Sequence, residues 1–201
     1  YEDKKRQYGS DAYLHVSEIF DEAREKYKQE YLSSSRALKK KLEGKVPDAE
    51  QAWKPFKGKN FEKLVRYMVE DQLKAIGLRC IPGEWLEKER LSAELSEVYR
   101  KLLVRYSKWS ILPDADMVVY DPSTRNVLGI ISCKITLRER VAQTAYWKLK
   151  LAGDPLTMNI KGYFITTDED GDLVRSLSEE PSRNRIIVEH ELDGTYVFRK
   201  V

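Results

Sequence analysis

Apolar residues recur at three-to-four-residue spacing from Asp11 to about Leu42, with Leu14, Ile19, Phe20, Ala23 and Tyr27 on one stripe and charged residues between them. That is the period of an amphipathic helix with one buried face. Ser33, Ser34 and Ser35 interrupt the run and predict a break into two helices. Gly44, Pro47 and Pro55 punctuate the next stretch, leaving room for a short helix from Ala49 to Trp53. The strongest run spans Lys59 to Ala75, where Phe61, Leu64, Val65, Met68, Val69 and Leu73 form one face and Gly77 stands where a helix-ending glycine would. Leu78 to Ile81 predicts a short strand closed by Pro82 and Gly83, and Trp85 to Tyr106 reads as a further helix with Leu91, Leu95, Val98, Leu102 and Val104 apolar.

Beyond Tyr106 the period changes. Asp116 to Tyr120 and Val127 to Cys133 are short apolar runs separated by Asp121-Pro-Ser-Thr-Arg-Asn126, a turn-forming set, and together they predict a β-hairpin. A helix from about Arg138 to Leu151 follows, then a strand at Gly162–Thr166, a helix at Asp172–Leu177, and strands at Arg185–Glu189 and Thr195–Arg199. The acidic stretch Asp168 to Asp172 lacks the full ligand spacing and closing Glu of a calcium loop, and predicts an exposed turn. This order of elements predicts an α/β fold, a mixed β-sheet with helices on both faces, preceded by an N-terminal helical part. The division falls near residue 55, with 1–55 helical and 56–201 carrying the sheet.

Composition narrows the class. A chain of 201 residues with 41% hydrophobic and 34% charged residues is too apolar for disorder and too charged for a membrane protein. It has no apolar run of the ~18 residues a transmembrane helix needs. The opening YEDKKRQYGSD has no signal-peptide stretch, which predicts an intracellular, cytoplasmic protein; its first residue, Tyr1 rather than Met, is what a fragment would show. Two cysteines and two histidines, far apart, exclude zinc-type spacing. The net charge of +3 permits an acidic partner without demanding one, but Lys39, Lys40, Lys41 and Lys45, then Lys54, Lys57 and Lys59, are clustered.

The hairpin carries the chemistry. Pro113-Asp114-Ala115-Asp116 opens its first strand and Ser132-Cys133-Lys134 ends its second, so a carboxylate and an ammonium converge. Carboxylates without His or Cys partners are hard-oxygen ligands suited to Mg2+, and a lysine beside such a metal can orient water for attack on phosphorus. A surface turn with incidental charges reads equally well from the spacing alone. Glu62 sits one turn into the Lys59–Ala75 helix, on its inner edge, where a carboxylate needs a charge partner or metal if buried and otherwise is a first-turn Glu that favours the helix dipole. Arg138-Glu139-Arg140 then opens a helix with two cations at the positive end of its dipole. DNA would compensate them, because Arg binds guanine O6 and N7 and Glu accepts from cytosine N4.

These segments together resemble the PD-(D/E)XK nuclease superfamily over about residues 56–150. The Ser-x-Lys variant followed by Leu-Arg-Glu-Arg is similar to the type II restriction endonucleases that cut CCGG and CCNGG or CCWGG sites. The resemblance implies a restriction-endonuclease-like sheet and Mg2+-dependent hydrolysis of double-stranded DNA by a homodimer. Asp116 becomes the metal-binding aspartate, with Asp114 as the alternative, Lys134 the catalytic lysine, Ser132 the holder of a vacated acid's place, and Glu62 a second carboxylate. Arg138, Glu139 and Arg140 would read the CC:GG pairs. Several relatives carry a second Glu farther along the helix after the lysine, but Val141 to Lys150 holds no acid: either Glu62 provides that carboxylate, the favoured reading, or the site binds metal weakly, or the chain is inactive. Gln143 and Thr144 could face DNA or form a polar helix face, and Lys39, Lys40 and Lys41 could clamp DNA or flank a dimer interface. Cys133 reads as a small core residue. A structure-selective repair nuclease and a catalytically decayed DNA-binding protein are the alternative readings.

Overall fold

The computed structural model describes residues 1–137, 139–174 and 180–199, which divide into two compact units. The first, Tyr1–Phe61 with Phe198 and its successor, is helical: α1 (Glu2–Tyr8), a 3-10 turn (Gly9–His15), α2 (Val16–Leu32), α3 (Ser35–Leu42) and the start of α4 (Ala49–Ala75). The break at the triple serine is as expected. Ser34 Oγ accepts from Ala37 N–H at 3.3 Å and so caps α3. The short helix and loop expected around Pro55 are not found, because α4 is continuous through that proline. Proline removes one helical hydrogen bond, but Trp53 and Phe56 pack on Tyr27 with ring centroids 5.2 and 4.2 Å apart, and Tyr27 Oη donates to Ala52 O at 3.1 Å. Those tertiary contacts hold the turn on both sides of Pro55.

The second unit, Glu62–Val197, is built on a five-stranded mixed sheet. Its strands are β1 (Arg79–Pro82), β4 (Met117–Tyr120), β5 (Val127–Lys134), β6 (Lys161–Thr166) and β7 (Gly194–Val197), in the order β1-β4-β5-β6-β7. The first three are antiparallel and the last three parallel. Parallel neighbours need a crossover, supplied by α6 (Arg140–Ala152) between β5 and β6 and by α7 (Arg183–Glu191) between β6 and β7. A small hairpin, β2 (Val104–Tyr106) and β3 (Trp109–Ile111), follows α5 (Ala93–Leu102). One core gathers Val98 and Leu102 of α5, Val118, Tyr120 and Ile130 of the sheet, and Leu151 of α6; a second joins Val141, Phe164 and Val188. Among the described residues no helix is long and apolar enough to cross a membrane.

Two expected elements are corrected. Residues 85–106 do not form one helix: a 3-10 turn ends at Trp85, Ser92 Oγ caps α5 by accepting from Leu95 N–H at 3.2 Å, and Val104 begins a strand. Leu91 and Val104 had extended the helical period by coincidence. The strand expected at Arg185–Glu189 is the body of α7. Its Ile-Ile-Val run favours strand by propensity, but the parallel β6–β7 pair demands a crossover, Ser182 caps it, and Arg185 pairs with Glu189 at 2.7 Å. The helix expected at 172–177 is not seen over 172–174, and its remainder lies outside the described residues.

Asp193 ties α6 to β6, with Lys148 at 2.7 Å, Lys161 at 3.0 Å and the Gly162 N–H at 2.8 Å. Burial raises its pKa more than any single partner lowers it, yet Lys148, the Gly162 N–H and Lys161 together hold it down at about 2. Asp121, in the β4–β5 turn, is also held at about 2, by the Ser123 hydroxyl and N–H and by Thr124. Both are ordinarily near 3.8, so the folded chain binds fewer protons than the unfolded one. Their stabilisation is present above about pH 4 and is lost as pH falls toward 2. Thermal unfolding should therefore show Tm dropping across that window, with a shallower drop in Asp193→Asn.

Candidate active site

Met117 pairs with Ile131, so Asp116, just before β4, stands opposite Ser132. Alternation puts Ser132 and Lys134 on one face of β5 and Cys133 on the other. Lys134 Nζ lies 3.0 and 2.9 Å from the two Asp116 carboxylate oxygens, and Cys133 N–H donates to Oδ2 at 2.6 Å. The side chains are 13% exposed for Asp116 and 23% for Lys134, so the pair is largely withdrawn from water yet reachable from it. A charge-assisted bond in that setting is stronger than one on the surface.

Glu62, on α4, is half-buried. Its charge is felt at the buried Cys133 thiol, whose pKa is pushed well up first by burial and then by the Asp116 and Glu62 carboxylates, with Lys134 opposing. Asp116 and Lys134 are gathered at the end of β5, and Cys133, buried on the other face of that strand, is an inert core thiol. Ser132 is buried beside it. Among the described residues no three Asp, Glu, His or Cys side chains form a ready-made metal cage. Two carboxylates still suit Mg2+, which keeps several waters and is held by one or two carboxylates plus substrate phosphate.

The backbone that carries Asp116 is fixed from behind. Gly83 N–H donates to Asp116 O at 3.0 Å, and a Cβ on Gly83 would stand 1.8 Å from Ala115 O. Only glycine admits so close an approach. Asp114 is exposed, and its Oδ2 accepts from Gln143 Nε2 at 2.7 Å, whereas Asp116 meets Lys134.

The segment after Lys134 is clamped by the strand next door. Lys134 pairs with Thr166 across β5 and β6. Beyond β6, Glu169 N–H and Thr167 Oγ1 donate to Ile135 O at 3.2 and 3.4 Å, and Asp170 Oδ2 accepts from Leu137 N–H at 3.2 Å. The exposed turn expected at 168–172 is corrected at its first residue: Asp168 is fully buried, and its carboxylate accepts the N–H groups of Asp172, Leu173 and Val174. Burial raises the Asp168 pKa, against the lowering by those N–H groups. Sequence reading missed Gly83, Asp168 and Asp170; the signals were a Pro-Gly pair ahead of the Asp116 strand and an acidic run directly after an apolar one.

Glu139 is the N-cap residue of α6 and Arg140 its first residue, both exposed. Arg138 lies outside the described residues. Arg140 Nη1 donates to Gln143 Oε1 at 3.0 Å, which completes a chain from Arg140 through Gln143 to Asp114. Lys39, Lys40 and Lys41 sit on α3 in the first unit, with Lys39 and Lys41 exposed.

The family model for the BsaWI type 2 restriction endonuclease matches residues 94–201, a span that holds Asp114, Asp116, Ser132, Lys134 and Glu139 to Gln143 but not Glu62. A protein of Methanocaldococcus jannaschii, named provisionally as the type II restriction enzyme MjaVIP, is 33% identical over 193 residues, 92% of this chain and 84% of its own. A Helicobacter pylori protein, named provisionally as the type II restriction enzyme HpyAORF263P, is 32% identical over 124 residues, 62% of this chain and 63% of its own. Two solved structures are more distant. The restriction endonuclease PspGI in complex with substrate DNA matches at TM-score 0.48 and 17% identity, over 92% of this chain and 60% of its own. The pre-specific BsaWI–DNA complex matches at TM-score 0.44 and 14% identity, over 84% of this chain and 60% of its own. The chain spans about three fifths of each of those two proteins. By the family match and the identity to the archaeal protein, this chain belongs to the BsaWI family of type II restriction endonucleases, enzymes that cleave DNA at specific sites.

Proposed function

We propose that this chain hydrolyses phosphodiester bonds in double-stranded DNA, with Mg2+, at a short palindromic or near-palindromic site containing CC and GG. The observation that supports this most is the Asp116–Lys134 pair at the end of β5, six residues ahead of Arg140 at the start of α6. It joins a cleavage centre to a base-reading element within one PD-(D/E)XK-type unit. Asp116 and Glu62 would hold Mg2+, Asp114 being the alternative to Asp116, and Ser132 stands where other members place an acid. Mg2+ held there would supply Lewis-acid stabilisation of the charge that builds on the phosphate and would make the attacking water more acidic. Lys134 donates hydrogen bonds that orient the attacking water. The water oxygen bonds to phosphorus as the bond to the 3′ oxygen breaks, leaving a 5′-phosphate and a 3′-hydroxyl.

Arg138 and Arg140 read guanine edges and Glu139 accepts from cytosine N4. A symmetric site is read by a symmetric protein, so the working form is a homodimer. The helical first unit, with Lys39, Lys40 and Lys41, serves its interface or clamps DNA. Digestion of unmethylated plasmid and phage DNA with Mg2+ and with EDTA, followed by end sequencing, tests the reading. Discrete Mg2+-dependent fragments whose ends share a CC…GG core are expected. A smear would point to a repair-type nuclease, and binding without cleavage to a decayed site; either result refutes the proposal.

A further inference from the structure

Gln143 is expected from sequence to face DNA or solvent, but its amide is engaged on both sides. Its Oε1 accepts from Arg140 Nη1 at 3.0 Å and its Nε2 donates to Asp114 Oδ2 at 2.7 Å. Asp114 lies two residues ahead of Asp116, in the segment that opens β4. We infer that Gln143 is a positioning residue that fixes the Asp114–Asp116 segment to the first turn of the recognition helix, and so sets the carboxylate of Asp116 in register with the base-reading Arg140. The inference rests on the proposed function and deepens it.

Three anchors then act on one short segment. Gly83 N–H holds the Asp116 carbonyl at 3.0 Å, Lys134 and Cys133 hold its carboxylate, and Gln143 holds Asp114. The first two come from the sheet and its preceding turn. Gln143 alone of the three belongs to the helix whose first turn carries Arg140. A guanidinium has five N–H donors, so Arg140 can keep one on Gln143 while two others engage a guanine. An amide suits this place better than a carboxylate, since it accepts from the cation and donates to the anion at once.

The test is a double-mutant cycle of Gln143→Ala and Asp114→Ala in the full chain. It has three readouts: the cleavage rate at saturating DNA and Mg2+, binding of a cognate duplex without metal, and hydrogen exchange over residues 113–117 in the DNA-free protein. Each single variant should lose about tenfold in saturated rate through misplacement of Asp116. The double variant should lose no more than about twofold beyond the worse single, because both remove one bond. Duplex binding should hold within about threefold, the mark of a positioning rather than a reading role. Exchange over the segment should rise alike in both singles. Asp114→Asn, whose amide oxygen still accepts from Nε2, should recover most of the rate.

Multiplicative losses, or weaker duplex binding at an unchanged saturated rate, would overturn the inference, the latter by making Gln143 a base reader. Unchanged exchange in both singles would do so without reference to activity. If the parent chain fails to cut DNA, the proposed function fails, and the exchange measurement still decides whether Gln143 anchors the segment.

Discussion

Lys134→Ala is expected to lower single-turnover cleavage by about 10²–10⁴-fold, the range for a group that orients or moves a proton in the transition state. Specific duplex binding in the absence of metal should be retained, because Lys134 is paired with Asp116 and the proposed base-reading role falls to the residues that open α6. The variant leaves the Asp116 carboxylate with the Cys133 N–H as its hydrogen-bond partner among the described residues. Asp116 is largely buried, so removing its counter-ion should also cost stability, about 1–3 kcal/mol for a carboxylate that retains one charge-assisted bond. The two effects separate by measurement: rate loss at a temperature well below Tm belongs to chemistry, and the Tm change to the lost pair. Lys134→Arg keeps the charge but spreads it over a planar fork that cannot sit as a point between two carboxylate oxygens. It should recover stability more than rate. A Lys134→Ala protein that cuts at the parent rate would remove the lysine from the mechanism and leave Asp116 and Glu62 without their assigned setting.

The part of this arrangement that sequence discloses is the part that depends on local order along the chain. The 121–126 turn forces β4 and β5 to run antiparallel, so the convergence of Asp116 with Lys134 follows from strand alternation alone. The break at the triple serine and the Lys59–Ala75 face are legible for the same reason. What local order does not disclose is set across the fold. Pro55 reads as a breaker until Trp53, Phe56 and Tyr27 are seen to stack around it. The Ile186-Ile187-Val188 run reads as strand until β6 and β7 prove parallel and require a crossover between them. Asp168 reads as a surface acid because nothing nearby in sequence says that three backbone N–H groups will turn inward to meet it. Glycine at position 83 reads as turn punctuation, and its second use, the approach of another backbone, appears only with β1 laid beside β4.

That second use carries the other large expected effect. Gly83→Ala puts a Cβ 1.8 Å from Ala115 O and 3.0 Å from Ala115 C, and both are backbone atoms with no flexible side chain to swing aside. Either the turn at Gly83 or the 113–116 segment must give way by more than an ångström, and the Gly83 N–H bond to Asp116 O lies in the same contact. Displacement of the reacting geometry by about 1 Å can cost 10²-fold in rate, so cleavage at saturating DNA and Mg2+ should fall by about that factor although Gly83 presents no side chain to the site. Forced overpacking should also destabilise the chain by about 1–3 kcal/mol. Gly162→Ala supplies the control. Its Cβ would meet the Lys148 side chain at 3.1 Å, a flexible stem that can shift, and it faces α6 rather than Asp116. That variant should keep its cleavage rate with a small change in Tm. Because a misplaced Asp116 loses hold of the Cys133 N–H and of Lys134 together, Gly83→Ala and Lys134→Ala should not multiply: the double variant should cut little more slowly than Lys134→Ala alone. Independent losses in the two, or a Gly83→Ala protein with the parent rate, would show that the contact with Ala115 does not set the carboxylate's place.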